Sequence, residues 1–514
     1  MNLTVRRDPF TLSTSPEKPG HPNLLWWLLL GLIFLAGAAV RLYDLGDPPL
    51  DFHPTRQIHS ALIARGMDYQ QRLDIPAWQR DMAVSQWQME GEIEPQIFER
   101  LTAWIYGQVG AVDLRIPRLI AIFCWMVGAV FLTWLAVDLV GLSGALAVAW
   151  FYLLWPYGVI ASRSFQPEPA LVMLLAVTFW ASLRWEKRGG WRWAAAVGLL
   201  AGLAIYVKVV ALFFIGPALL ALTLTRTGSR WYRSPQVWLI AVLALLPYAI
   251  YHIDGVYIHG YLASQFSLRF FPQMWADPAF YLRWISNLGR VLPFEMLLAA
   301  LLGAFLVRQT PGRVLLLAQW AGYFVYGMAL SHHISTHDYY HLLLFPALAL
   351  GIGGIVSVII QNIRGPFWLT RLVAVGVLLA ALMINGYNAR NTLKRFDAAK
   401  QAGIWEEIGQ TLGHGASVAA LVPDYGVGLK YWAWINPSLW LTEDDIAFRE
   451  SVGQQVDFSA WFEDQAAGKD YFVVTMFDEL DHQQQLKKLL YDHYVLFKQT
   501  PDYVIFDLRQ KNSQ

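Results

Sequence analysis

The stretch "LIAIFCWMVGAVFLTWLA", residues 119–136, contains no charged residue and is long enough to cross a bilayer as one helix. Similar apolar runs recur from residue 24 to residue 387. The whole chain has 514 residues, of which 56% are hydrophobic and only 15% charged. This balance is typical of membrane proteins and unusual for soluble domains. The formal net charge of +1 gives no support for nucleic acid as a partner.

The apolar runs predict about eleven membrane helices by length and composition. The least certain pair is 193–206 and 209–225, because this stretch is too long for one span and has Lys208 near its middle. The predicted limits are 24–42, 117–138, 143–161, 167–184, 193–206, 209–225, 236–253, 291–308, 314–331, 342–360 and 368–387.

The distribution of Lys and Arg predicts the orientation of these helices. If the N-terminus is cytoplasmic, the segments "RWEKRGGWRW", "TRTGSRWYRS", "RQTPGR" and "QNIRGPFWLTR" lie inside, and all are rich in Lys and Arg. The opposite side carries acids and histidines instead. An odd number of spans then places residues 388–514 outside the cell membrane.

The regions before and after the membrane helices differ in composition. Residues 1–22 are polar and predict a disordered cytoplasmic tail, and Leu24 to Val40 reads as a retained first span rather than a cleaved signal peptide. Residues 388–514 contain the candidate strands "SVAALVPD", "YFVVTMF" and "DYVIFDL", and the amphipathic stretch "DHQQQLKKLLYDHY". Together with a helix over "AAKQAGIWEEIGQTLG", ended by Gly413, they predict a small α/β domain. The single cysteine, Cys124, reads as a buried thiol.

The first outer loop, residues 43–116, is much longer than the other connections between predicted spans. Long loops in compact proteins are usually functional or disordered. Here Ile97, Leu101, Trp104 and Ile105 recur at helical spacing. We therefore expect helices along the membrane surface within this loop.

An ordered series of segments resembles the GT-C class of multi-spanning glycosyltransferases, in particular the protein O-mannosyltransferase and aminoarabinose transferase group. The series covers nearly all of residues 24–387. Its members are "RLYDLGDPPL" (41–50), "ALIARGM" (61–67), "EPQIFERLTAWIYGQVG" (94–110), "RIPRLIAIF" (115–123), "ASRSFQPEPALVMLLAV" (161–177), "GLAIYVKVVALFFIGPALL" (202–220) and "HDYYHLLLFPALALGIGG" (337–354).

The resemblance implies a polyprenyl-phosphate-linked sugar as donor and transfer on the outer side of the membrane. Such a reaction requires a carboxylate base for the attacking acceptor. We assign this role to Asp51 in "DFHPTRQ" (51–57), with His53 as the nearest alternative base. The family carries an Asp-Glu pair before "ALIARGM", where this chain has Arg56 and Gln57. A helix N-cap or turn role for Asp51 is the structural alternative.

The resemblance also places other outer-side residues at the site. Glu168 matches a family acid at the start of a span, and Glu94 matches a charged position before "PQI". A helix-start acid favoured by the helix dipole and a surface-loop acid are the respective alternatives. Arg163 and Lys208 are candidates to hold the lipid phosphate, although Lys208 could also reach towards the interface. Arg56 and His53 are expected to contact substrate.

The segment "SHHISTHDYYH" (331–341) allows two interpretations. His337 and His341 have the i,i+4 spacing of metal ligands on a helix. The resemblance instead places Tyr339 and Tyr340, with His337, along the donor site, and aromatic residues are common at membrane interfaces in any case. We expect no metal and no cofactor.

These observations predict a mainly α polytopic membrane protein of about eleven helices with a small extracytoplasmic α/β domain. The predicted limits are 1–22 for the tail, 23–387 for the catalytic domain and 388–514 for the outer domain. The predicted function is transfer of a sugar from a polyprenyl phosphate to an unidentified acceptor by an enzyme of the inner membrane, surrounded by membrane lipids. The alternatives are a transporter or flippase, which would favour internal symmetry, and an inactive relative that only binds lipid-linked sugar.

Overall fold

The computed structural model describes residues 21–263, 270–363, 366–395, 397–451, 453–455 and 457–512. The predicted tail therefore lies almost entirely outside the described residues. The helices are α1 (Leu24–Leu42), α2 (Pro54–Gln70), α3 (Ala77–Met89), α4 (Ile97–Val109), α5 (Arg115–Leu154), α6 (Pro156–Ala161), α7 (Glu168–Arg188), α8 (Trp191–Val207), α9 (Leu212–Thr227), α10 (Pro235–Ile253), α11 (Pro278–Val291), α12 (Phe294–Leu306), α13 (Thr310–Ala329), α14 (Ser331–Thr336), α15 (Phe345–Asn362), α16 (Phe367–Leu393), α17 (Ala398–Leu412), α18 (Val427–Tyr431), α19 (Glu443–Ser451), α20 (Phe458–Ala466), α21 (Phe477–His482) and α22 (Gln484–His493).

The chain folds into two compact units. The first comprises Met1–Leu45, Glu92–Ile97 and Pro117–Arg395, as far as these are described, and contains the long apolar helices. The second comprises Gly46–Gly91, Phe98–Ile116 and Phe396–Gln514. We call them the membrane unit and the sheet unit. The limits predicted for the three sequence domains stay predictions.

Six helical segments among the described residues are long and apolar enough to cross a membrane, and a seventh is possible if the bent pair α11 and α12 forms one span. The count of about eleven spans is therefore not confirmed, although apolar helices occur at all the predicted places. One reason is that several helices are interrupted. The axes of α11 and α12 differ by 89°, and α8 is shorter than a full span.

Two breaks occur where the sequence predicts helix boundaries. Within α5, Gly141 has a φ of 76°, which L-residues with a side chain rarely adopt, and it divides two helical segments. Between α8 and α9 the backbone at Lys208 is extended, with φ −158° and ψ 117°. A short 3₁₀ turn, Val209–Ala211, then leads into α9. The prediction of two short helices meeting at Lys208 is confirmed.

Glycines allow close packing of helices in the membrane unit. A Cβ atom added to Gly351 in α15 would overlap the carbonyl oxygen of Ala300 in α12, and one at Gly354 would meet the carbonyl of Gly303. On the other side, Gly353 lies against Gly144 of α5. Close contacts of this kind are expected for small residues between membrane helices.

The sheet unit contains five strands in the order β2-β1-β3-β5-β4. Strand β1 pairs in parallel with β2 and β3, whereas β5 pairs antiparallel with β3 and β4. The strands are β1 (Val418–Leu421), β2 (Ser438–Leu439), β3 (Tyr471–Val474), β4 (Tyr494–Gln499) and β5 (Val504–Lys511). The predicted α/β character of the C-terminal part is confirmed, while β2 and β4 were missed.

Successive side chains of β1 point to opposite faces of the sheet, and both faces are covered. Val418 and Ala420 pack into one core together with Trp405 of α17, and Ala419 and Leu421 pack into the other with Leu490 of α22. A strand buried on both faces reads as a continuous apolar run, as the sequence does here. Gly413, with a φ of 76°, ends α17 as predicted.

Candidate active site

Lys208 is the centre of a buried ion-pair cluster in the membrane unit. Its Nζ lies 2.5 Å from Oε1 of Glu168 and 2.9 Å from Oε1 of Glu94. The side chain of Lys208 is only 7% exposed. We call Glu94, Glu168 and Lys208 the Lys208 cluster. The sequence selected all three residues individually, but their direct contact was not predicted.

Local structure explains how Lys208 and Glu168 reach the same place. Glu168 is the first residue of α7 and stands between two prolines, which favour a helix start. A carboxylate at this position also interacts favourably with the positive end of the helix dipole. Lys208 lies at the break between α8 and α9, where the extended backbone places a charged residue among apolar helices.

The two carboxylates of the Lys208 cluster differ in their surroundings. The side chain of Glu168 is 1% exposed, whereas that of Glu94 is 17% exposed. Oε2 of Glu168 is buried and accepts no hydrogen bond from the residues that the structure describes. Glu94 belongs to the short segment 92–96 between α3 and α4, which forms neither helix nor strand. Glu168 is therefore the enclosed partner of Lys208, and Glu94 is the accessible one.

Tyr339 and Tyr340 surround the ammonium group of Lys208. Their ring centroids lie 5.8 Å and 5.7 Å from Nζ, within the range of cation–π attraction. Both belong to the 3₁₀ turn Asp338–Leu344 that leads into α15. The ring of Tyr340 is further stacked on Tyr326 of α13 at 6.1 Å. The two tyrosines predicted to line the donor site are thus neighbours of Lys208.

A pocket opens next to the Lys208 cluster. It encloses about 490 Å³ of space not occupied by atoms. Glu94, Lys208 and Tyr340 are the predicted site residues that it contains. The complete lining is Ile93, Glu94, Pro95, Lys208, Val209, Val210, Tyr248, Tyr251, Leu262, Leu330, His333 and Tyr340. Such a lining combines an apolar wall with a few charged and hydroxyl groups, as ligand sites usually do.

The sequence did not single out the pocket residues Tyr248 and Tyr251. They lie three positions apart in α10, so that both fall on one face of the helix. A pair of hydroxyl-bearing residues on one face of an apolar span is the signal that would have indicated them. Without the neighbouring helices, the same pattern also fits an interfacial aromatic pair.

Arg163 is buried at another place in the membrane unit. Its Nη1 and Nη2 donate hydrogen bonds to the carbonyl oxygens of Tyr43 and Asp44, at 2.9 Å and 2.7 Å. These contacts hold the chain where it leaves α1. A role of Arg163 in binding phosphate stays a prediction.

The histidines of residues 331–341 have separate surroundings. His337 lies next to Tyr339 and Tyr340, with ring centroids 5.6 Å and 6.0 Å away. His341 is buried, and its Nδ1 is 2.8 Å from the hydroxyl of Tyr323, which also accepts a hydrogen bond from Trp284. Among the described residues, no group of three or more His, Cys, Asp or Glu side chains is arranged to hold a metal ion.

Asp51, His53 and Arg56 belong to the sheet unit, at the start of α2. The N-cap position of α2 is occupied by His53, so the N-cap role considered for Asp51 is wrong. His53 has a φ of 48°, an unfavourable conformation for a residue with a side chain. Gln57 donates a hydrogen bond from Nε2 to the carbonyl of Phe52 at 2.6 Å, which stabilises this turn. Backbone strain of this kind often occurs at functional sites.

Arg65, in the segment "ALIARGM", has a structural role that the sequence did not indicate. Its guanidinium group donates to the carbonyl of Tyr431 and to Oε1 of Gln86, both at 2.7 Å. The same group is stacked against the rings of Tyr431 and Trp434, at 4.2 Å and 3.9 Å. It therefore joins α2 to α3, to the end of α18 and to the loop that follows, within the sheet unit.

A second, half-buried ion-pair cluster lies in the sheet unit. Oε2 of Glu90 is 2.6 Å from Nδ1 of His59, and Oε1 is 2.8 Å from Nζ of Lys430. Burial alone would raise the pKa of Glu90, but the hydrogen bonds from His59 and Lys430 outweigh it and lower the pKa below its usual value. We call Glu90, His59 and Lys430 the Glu90 cluster. None of these residues was singled out from the sequence.

A protein-family model matches residues 99–252 of this chain. Its description is dolichyl-phosphate-mannose-protein mannosyltransferase. The matched range contains Arg163, Glu168 and Lys208 but neither Asp51 nor Glu94. A comparison with curated protein sequences found no match.

Solved structures with a similar fold include two membrane transferases. ArnT from Cupriavidus metallidurans, determined with bound undecaprenyl phosphate, has a TM-score of 0.56 at 14% identity, over 94% of this chain and 97% of ArnT. The oligosaccharyltransferase AglB from Archaeoglobus fulgidus, determined with an inhibitory peptide and a dolichol-phosphate, has a TM-score of 0.52 at 11% identity, over 93% of this chain and 73% of AglB. The chain therefore has the fold of the GT-C membrane glycosyltransferases, and the resemblance predicted from its sequence is confirmed.

Proposed function

We propose that this protein transfers a sugar from a polyprenyl-phosphate-linked donor to an acceptor on the outer side of the membrane. The observation that carries the proposal is the buried Lys208 cluster beside a pocket, in a chain with the fold of ArnT. A lysine among apolar helices is a functional candidate, since its charge has to be compensated there. ArnT was determined with undecaprenyl phosphate, which supports a lipid phosphate as the ligand class here.

In this proposal Lys208 stabilises the departing phosphate. The bond between the anomeric carbon and the phosphate oxygen breaks, and negative charge accumulates on the phosphate as it leaves. A cation in a poorly solvated site lowers the energy of that charge, and the effect is strong because little water competes. Tyr339, Tyr340 and His337 line the donor side of the same region. Arg163 is retained as a second candidate for phosphate binding.

Asp51 acts as the general base in this mechanism. The acceptor hydroxyl attacks the anomeric carbon from the side opposite the phosphate, and its proton passes to the carboxylate, so the configuration is inverted. His53 and Arg56 lie within five residues of Asp51 and are proposed to contact substrate. Glu168 supports the reaction by holding Lys208 in place, and it is the next candidate for the base.

The proposed location is the inner membrane, with residues 388–514 on the outer side. Cysteine labelling at positions 190, 230 and 364 should then report the cytoplasm, and labelling at 75, 335 and 450 the outside. A cytoplasmic position 450 would contradict this topology. The apolar helices support a multi-pass membrane protein, and the charge distribution of the loops supports the orientation.

The variant Asp51→Asn tests the mechanism. Asn is similar in shape but does not accept a proton at neutral pH, so turnover should fall by roughly 10²- to 10⁴-fold. Asp47→Asn, in the same segment, is the matched control and should stay near the native rate. Glycans and lipids of a deletion strain carrying each variant are compared by mass spectrometry. Native glycan levels with Asp51→Asn would remove Asp51 as the base and make Glu168, then His53, the next to test.

A lipid transporter or an inactive binding protein would behave differently. Loss of a flippase would also remove the glycosylated product, but the lipid-linked sugar would then accumulate in the inner leaflet, whereas loss of the transferase would leave it in the outer leaflet. Loss of an inactive binding protein would remove no glycosylated product. The same mass spectrometry, applied to each membrane leaflet, therefore separates these alternatives from the proposed transferase.

A further inference from the structure

The Lys208 cluster contains two carboxylates and one ammonium group. Glu94 and Glu168 both contact Nζ of Lys208, at 2.9 Å and 2.5 Å. A phosphate group that binds Lys208 has to approach this ammonium from the pocket side. Glu94 lines the pocket together with Lys208, whereas Glu168 does not. The place that a phosphate would take is therefore held by the carboxylate of Glu94.

The two contacts differ in how easily they are exchanged. Glu168 is almost completely enclosed, and separating it from Lys208 would leave a buried charge without compensation, which is strongly unfavourable. Glu94 is 17% exposed, so water can solvate its carboxylate when it leaves Lys208. It also belongs to an irregular segment rather than to a helix. An anion entering the pocket would therefore displace Glu94 and leave the pair of Lys208 and Glu168 intact.

The charge of the lipid changes during the proposed reaction. A sugar-linked polyprenyl phosphate is a diester with one negative charge. After transfer, the lipid phosphate is a monoester that carries between one and two negative charges near neutral pH. Lys208 therefore attracts the product more strongly than the donor. Without a competing group, the product would leave slowly and inhibit the next turnover.

We propose that Glu94 is an intramolecular competitor that displaces the polyprenyl phosphate product from Lys208. This inference rests on the proposed function. The donor phosphate replaces Glu94 at Lys208, the sugar is transferred, and Glu94 then returns to Lys208 as the lipid phosphate leaves. No covalent bond changes in this step. Its effect is to weaken binding of every phosphate lipid by the same factor, and so to shorten the time for which the strongly attracted product stays bound.

Binding of undecaprenyl phosphate to the purified full-length protein tests this inference and requires no knowledge of the sugar. In Glu94→Gln the competitor loses its charge, so the dissociation constant should decrease about tenfold, the size of one charged hydrogen bond. Most of the change should appear as slower dissociation, which stopped-flow tryptophan fluorescence measures directly. Glu295→Gln, an exposed acid in the first turn of α12 that does not line the pocket, is the matched control and should change affinity less than about twofold.

Variants of Lys208 separate failure of this inference from failure of the proposed function. The double variant Lys208→Gln with Glu168→Gln removes the enclosed pair, and the remaining carboxylate of the cluster, Glu94, is partly exposed to water. This variant should bind undecaprenyl phosphate at least tenfold more weakly. If it does, but Glu94→Gln binds no more tightly than the native protein, the competitor role is overturned and the proposed function stands. If native protein and double variant bind equally weakly, the proposed function fails as well.

Discussion

The Lys208 cluster and the Glu90 cluster are built from the same kinds of residue in opposite proportions. In the membrane unit one ammonium group contacts two carboxylates. In the sheet unit one carboxylate contacts an ammonium group and an imidazole. The Lys208 cluster is largely buried and the Glu90 cluster half-buried, and their closest contacts are of similar length. The difference lies in the charge balance and in what adjoins the cluster.

This difference separates a binding group from a structural one. The carboxylate of Glu90 is surrounded by donors, and its pKa is lowered accordingly. It joins α2, the end of α3 and the segment containing α18, so its partners belong to three places in the sheet unit. The Lys208 cluster instead has an excess of acid and borders a pocket. An ion pair that keeps one exchangeable partner beside a pocket is suited to binding a charged ligand.

The largest expected difference between the two clusters concerns activity. The double variant Lys208→Gln with Glu168→Gln should lower transfer by 10²-fold or more, because the departing phosphate loses its cation. Lys430→Gln should change transfer by less than about threefold. Product formation per folded protein, measured by mass spectrometry in membranes, is the readout. An equal loss of transfer activity in both variants would show that the two clusters do not differ in function.

The second prediction concerns stability in the membrane unit. Lys208→Gln alone leaves Glu168 buried without its counter-charge and should lower the free energy of unfolding by about 3 kcal/mol. The double variant with Glu168→Gln should recover most of that loss, since the carboxylate of the cluster that then lacks Lys208 is Glu94, which is partly exposed to water. Thermal unfolding in detergent, followed by the fluorescence of the 24 tryptophans, measures both. A double variant less stable than Lys208→Gln would contradict this account.

The third prediction concerns Glu90. Glu90→Gln should lower the free energy of unfolding by about 1 kcal/mol at pH 7, because the charge-assisted hydrogen bonds to His59 and Lys430 are weakened. The pKa of Glu90 is lowered on folding, so its contribution is complete above the unfolded value of about 4.3 and is lost as the pH falls through the lower folded value. The difference between the midpoints of native protein and variant should therefore shrink as the pH falls below about 4.3. A difference that does not change with pH would assign the effect to packing instead.

The smallest effect is expected for an exposed pair. Lys487 and Asp481 are 2.6 Å apart, as close as the partners in the two clusters, but their side chains are 40% and 59% exposed. Water and salt screen such a pair, so its contribution to stability is small. Lys487→Gln should leave the unfolding midpoint of the protein unchanged. A shift comparable to that of Glu90→Gln would show that distance, rather than burial, governs these interactions.

The sequence predicted those features that depend on neighbouring residues. Apolar runs located the helices, and Lys208 within its run predicted the break between α8 and α9. Glu90 and Arg65 were missed because their partners, Lys430 and Tyr431, lie more than 300 residues away in the chain. The sequence contains no local sign of such a contact. The number of membrane spans was not confirmed because interrupted helices and complete spans have similar apolar composition.

The candidate site was also predicted only in part: its individual residues were identified, but the contacts between residues distant in the chain were not. The resemblance identified Glu94, Glu168, Lys208 and Tyr340 as separate candidates, and the structure brings them to one place. It did not indicate that both acids share one lysine, which depends on the packing of α7 against α8 and α9. For Asp51, the sequence predicted a general base, with an N-cap or turn role as the alternative. The structure excludes the N-cap role, because His53 occupies the N-cap position of α2.

The pair of Lys208 and Glu168 also has a consequence for biogenesis. An uncompensated lysine at membrane depth opposes insertion by roughly 2.5–3.5 kcal/mol. Glu168 precedes Lys208 by 40 residues, so it is synthesised first. Because their charges compensate each other, the two side chains enter the bilayer more easily together than either does alone. We therefore expect α7, α8 and α9 to insert as one unit, and a nascent chain lacking α7 would present Lys208 without Glu168.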